Sequence, residues 1–162
     1  MFKKIFLLII GSILIPLNAQ EERFDNTILC MNTNSYLKDN YIKFNNNSSK
    51  AWVMDLENFV DDTWEERKLS SQPDRWVIDT LSMSNSLKFQ IIINKDREEV
   101  SLEVFKMSSI SSEGLTESNT NSMICVSEEN EYMDILLKNK EIRQKFKSKF
   151  IEDFSKALDK NQ

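Results

Sequence analysis

Six carboxylates fall between residues 55 and 66: Asp55, Glu57, Asp61, Asp62, Glu65 and Glu66. Glycoside hydrolysis needs only two carboxyl groups flanking a bond, so this is the densest place for hydrolytic chemistry in the chain. Sequence spacing fixes no pair at a catalytic distance, and acidic residues are common on surfaces. No EF-hand spacing with its glycine is present to suggest calcium. The chain contains no His. That removes the commonest general base and the commonest metal ligand, and it leaves the serines without a His partner. Only Gly11 and Gly114 are glycines. Neither a dinucleotide fingerprint nor a phosphate-cradling loop can be written from them. The sequence therefore points to no cofactor, no metal and no catalytic residue, and the expectation is a protein that is not an enzyme.

Two other residue types carry information. Cys30 and Cys125 are the only cysteines, each inside a short apolar run. In an exported protein a lone pair is most simply a disulfide, here joining the first strand of a sheet to the last. Trp52, Trp64 and Trp76 flank the early strands. Such residues either fill a core or line an apolar pocket.

The export expectation comes from the N-terminus. Lys3 and Lys4 precede an apolar run from Ile5 to Ile15, followed by Pro16 and a small residue at Ala19. This is the layout of a signal peptide over 1–19, and the run is shorter than the roughly 20 residues a spanning helix needs. Without its two lysines the chain's net charge of −5 becomes −7. Residues 20–137 hold 11 basic and 22 acidic side chains, whereas 138–162 hold 8 and 4. An acidic body with a basic tail argues against nucleic acid, which needs a basic footprint on the fold itself. The lysines of the tail read as a solvated helix face.

These residues must be positioned by strands. Leu87, Phe89, Ile91 and Ile93 recur with period two, as do Val100, Leu102 and Val104, and each set predicts one buried face. The charged segment Asn94 to Glu99 between them predicts a turn. Further strands are expected over Thr27–Met31, Tyr41–Phe44, Ala51–Leu56, Trp76–Met83 and Met123–Val126. Residues 57–73 read as an irregular excursion with a helical turn, although 64–69 also fits a charged edge strand. Residues 108–122 read either as a long loop or as a continued strand pattern turning at Glu113-Gly114. From Ser127 the period changes. Ser127 suits a helix cap, and Tyr132, Ile135, Leu136, Ile142, Phe146, Phe150, Phe154 and Leu158 form a stripe at helical spacing, with a break near Asn139.

The expected fold is α+β: an antiparallel β-meander of about six strands with a C-terminal amphipathic helix packed on one face. The chain is expected to be a signal peptide followed by a single exported domain over 20–162, with the sheet over 27–126 and the helix over 128–158, and periplasmic or secreted. The leading functional expectation is a non-enzymatic binding or interaction module whose partner is another protein or a small apolar ligand. One alternative is a carrier of an apolar small molecule between sheet and helix, using Trp52, Trp64 and Trp76. A carboxylate-based hydrolase is the other. Lipocalins share the size and the meander, but the Gly-x-Trp motif of their first strand cannot be written in the mature chain, so no family is assigned.

Overall fold

The computed structural model describes residues 23–34, 37–56, 63–84, 87–111 and 114–160. The signal-peptide expectation lies outside them. Eight strands follow one another: β1 (Asn26–Asn32), β2 (Asn40–Phe44), β3 (Lys50–Asp55), β4 (Glu65–Ser71), β5 (Arg75–Ser84), β6 (Leu87–Asn94), β7 (Val100–Ser111) and β8 (Gly114–Ser127). Each pairs antiparallel with its neighbours in sequence, and β8 pairs with β1, so the meander closes into a barrel. The expected sheet of about six strands is thus an eight-stranded barrel. Part of the difference is β4, whose charged sequence EERKLSS hides its alternation. The other part is the length of β7 and β8, whose register runs to Ser111 opposite Gly114. The continued pattern, not the long loop, is what forms.

Alternation along the strands sends one set of side chains inward. Ile28, Ile42, Phe44, Val53, Leu69, Ile78, Phe89, Ile91, Ile93, Phe105 and Met123 meet as the barrel core. An eight-stranded barrel is just wide enough for side chains to fill its interior, and this one is filled along its middle. On β7 the inward face is not the expected one. Leu102 is exposed, while Glu103 and Phe105 are buried. The barrel accommodates Glu103 because its carboxylate accepts from the Asn94 backbone N–H at 2.9 Å and from the Ser101 hydroxyl at 2.7 Å. Satisfied in this way, a buried polar group loses most of its desolvation cost.

Cys30 and Cys125 sit directly opposite each other on β1 and β8, and they are bonded with Cα atoms 4.1 Å apart. The disulfide therefore joins the first strand to the last, as the sequence predicts. The outward face mixes polar and apolar side chains, with Val77 and Asp79 on β5, Lys88, Gln90 and Ile92 on β6, and Leu102 and Lys106 on β7. Lys88 pairs with Asp79 at 3.2 Å, and Gln90 donates to the same carboxylate at 2.8 Å.

The C-terminal region is a helix pair, α1 (Met133–Lys138) and α2 (Lys140–Asp159). Ser127 does not cap a helix, because it is still in the ladder opposite Ile28. The chain leaves β8 through turns at Asn130 instead. The break falls at Asn139, whose backbone is extended and whose side chain accepts from the Ile142 N–H at 3.0 Å. Asn139→Ala should cost about 1 kcal/mol, the usual loss for an N-cap, measurable by chemical denaturation. Against the outer wall, Leu29, Met31, Met54, Leu56, Ile124 and Val126 pack with Met133, Leu136, Ile142, Phe146 and Phe150. The apolar stripe continues past the barrel, where Ile151, Phe154 and Leu158 are exposed.

Two basic residues of α2 are not on a solvated face. Arg143 and Lys147 are buried, and both reach Asp39, in the connection between β1 and β2. Arg143 Nε donates to Asp39 Oδ2 at 3.1 Å, and Lys147 Nζ donates to Oδ1 at 3.1 Å. The Asn32 N–H also donates to that carboxylate. Arg143 Nη1 spends its remaining donors on the Leu136 and Leu137 carbonyls. One acid thus ties helix to barrel.

Candidate functional site

The up-and-down order brings the starts of the odd strands and the ends of the even strands to one barrel mouth. A recess of about 600 Å³ opens there. Its walls come from five places: Asp25 to Thr27 ahead of and within β1, Asn46 and Asn47 between β2 and β3, Ser71 and Trp76 where β4 meets β5, Lys95 and Arg97 to Glu99 between β6 and β7, and Ser127 to Glu129 at and after the end of β8. Hydrogen bonds hold these segments together. Asp25 accepts from the Asn46 N–H at 2.9 Å, and Asn26 Nδ2 donates to Asn46 Oδ1 at 2.8 Å.

Trp76, the second residue of β5, points inward beneath this recess and meets Phe44 edge-on at 5.1 Å. Lys95 and Arg97 lie 5.4 and 5.2 Å from its ring centroid, within cation–π range. Arg97 is half-buried. Its Nη2 donates to Asn26 Oδ1 at 3.2 Å, and Lys95 donates to the Ser71 hydroxyl at 2.9 Å. Burial pushes the Arg97 guanidinium below its ordinary range, and the nearby charges of Glu103 and Glu129 oppose that shift.

Among the described residues, three buried polar atoms of the lining have no hydrogen-bond partner: Trp76 Nε1, Arg97 Nε and Ser127 Oγ. Two are obligate donors. Buried groups of this kind are normally satisfied, and each one left alone costs about 1–3 kcal/mol. Above them the rim carries Asp25, Glu98, Glu99, Glu128 and Glu129. The lining thus combines the cations Lys95 and Arg97 with five carboxylates.

The other sequence candidates lie elsewhere. Trp52 and Trp64 are on the outer wall, where they line a recess of about 270 Å³ with Phe24 and Lys43. The three tryptophans therefore do not share a pocket. Of the acidic cluster, Asp55 pairs with Lys38, Glu65 with Arg67, and Glu66 with Lys50 at 2.9 Å. Glu57, Asp61 and Asp62 lie outside the described residues. Among the described residues no three His, Cys, Asp or Glu side chains gather as a metal site. Lys95 and Arg97 are the site residues that sequence reasoning misses, because a run of charges between two strands reads as a turn. The only hint is that they are the two cations in that turn. Comparison of the chain with protein-family models, with curated proteins and with solved structures finds no match.

Proposed function

We propose that the protein is an exported binding module that takes a small polar ligand at the barrel mouth over Trp76 and Arg97. The observation that carries this reading is the set of three buried, unpartnered polar atoms beneath one recess. A ligand with an acceptor oxygen meets the Trp76 and Arg97 donors. Its hydroxyl or ammonium groups meet the carboxylates of the rim. The disulfide supports export, since such bonds persist in oxidising compartments. This reading requires no step of chemistry.

The test is an NMR titration of the oxidised protein with glycine, glycylglycine and glucose as separate probes. Binding should move the Trp76 indole N–H and the Arg97 Nε–H resonances together and saturably. Arg97→Lys should weaken it about tenfold, because the lysine removes the Nε–H and one ion-assisted bond. Resonances that stay fixed with all three probes, together with a bare mass for protein recovered from the exported fraction, would sink the reading.

A further inference from the structure

The outer-wall recess has an unusual occupant. Lys43 projects outward from β2, opposite Trp52 on β3. Its ammonium lies 4.9 Å from the Trp64 ring centroid, 5.1 Å from Tyr41 and 5.9 Å from Phe24. Tyr41 and Trp64 are themselves in contact, with centroids 5.2 Å apart. Among the described residues no carboxylate forms an ion pair with Lys43, so aromatic faces hold this charge. A wall of three rings with a fourth, Trp52, beside it has the shape that recognises cations. An independent observation points the same way. Tyr41 also borders a second recess, lined by Glu128, Glu129, Glu131 and Asp134. Those acids set a negative potential beside the rings.

We propose that Phe24, Tyr41, Trp52 and Trp64 form a binding box for a trimethylammonium group, and that Lys43 is its built-in plug. A primary ammonium is a compact, strongly hydrated charge and gives up water reluctantly. A quaternary ammonium carries its charge on methyl groups, so it enters an aromatic box at a smaller desolvation cost. The lysine stem is flexible, and its head can swing to solvent when a better cation arrives. Because the plug competes for the same faces, the apparent affinity is reduced by the fraction of time it is seated.

The discriminating probe is choline against its neutral isostere 3,3-dimethylbutan-1-ol, which has the same shape without the charge. Choline should shift the Trp52 and Trp64 indole resonances saturably and leave Trp76 unmoved. The isostere should shift neither. Lys43→Thr, which suits a strand, should tighten choline binding roughly fivefold or more by removing the plug. Trp64→Leu should abolish it. Sedimentation with phosphatidylcholine vesicles separates the two sources of this group: co-sedimentation blocked by choline marks a lipid headgroup, and choline binding without it marks a free ligand. Equal response to choline and the isostere in the wild-type protein overturns the proposal. So does an unchanged choline affinity in a folded Lys43→Thr protein.

Discussion

Asp39→Asn should lower the unfolding free energy by roughly 3–5 kcal/mol, the cost of leaving buried charges without their partner. The substitution keeps the size of the side chain and an oxygen to accept from the Asn32 N–H. It removes only the charge that faces Arg143 and Lys147, whose side chains are 3% and 8% exposed. For a domain of this size the melting midpoint should fall by about 10–15 °C, as read by circular dichroism. The loss should be nearly independent of added salt, since buried pairs are poorly screened. A second variant separates charge from packing. Asp39→Asn combined with Arg143→Met and Lys147→Met removes all three charges, and most of the stability should return. A midpoint unchanged by Asp39→Asn alone would mean that the triad does not fasten the helix pair.

Removing the disulfide is the second large effect. The bond closes a loop with a sequence separation of 95. The chain-entropy model values such a loop at up to about 4.5 kcal/mol, and measured bonds commonly give 2–4. Cys30→Ala with Cys125→Ala should therefore lower the unfolding free energy by about 2–4 kcal/mol in a urea titration and steepen the slope, because the denatured chain without its cross-link is less compact and exposes more surface. Both sulfur-bearing residues are inside the barrel, Cys30 at 0% and Cys125 at 1% exposure. Folded protein should resist dithiothreitol, and reduction should follow only once urea opens the seam. Rapid reduction of the native protein would show that β1 and β8 part without global unfolding.

The two predictions rest on features of unequal legibility. The disulfide can be read from two cysteines and the expectation of export, because pairing follows from compartment and number. The triad cannot. Asp39 looks like a turn residue, and Arg143 and Lys147 look like members of a solvated lysine-rich face, since helical spacing records which residues share a stripe and not what approaches it from outside. The strands divide in the same way. β6 is legible because its core side chains Phe89, Ile91 and Ile93 are apolar and alternate. On β7 the apolar set Val100, Leu102, Val104 misleads, because the inward position holds Glu103, which the Asn94 N–H and Ser101 satisfy locally. β4 is obscured by a related device, in which Arg67 and Glu65 neutralise each other on one face. Closure of the barrel leaves no mark in local pattern at all, since an open meander and a closed one differ only in whether the first and last strands meet. Of the mouth site, Trp76 stands out in sequence and Arg97 does not, because its role comes from a turn folding back over the ring.

That seam has a bearing on the order of events during biogenesis. A chain delivered N-terminus first presents β1 long before β8, the strand that completes its pairing. Neighbouring hairpins can form as they emerge, but β1 keeps one edge open until residues 123–127 arrive opposite it. Open edges recruit other strands, so this interval is the time of greatest exposure to misassembly. The sulfur bridge and the docking of α2 on Asp39 both depend on the last part of the chain. Assembly thus ends with a latch, and a truncation that removes residues beyond 122 should yield an aggregating intermediate instead of a smaller, stable barrel.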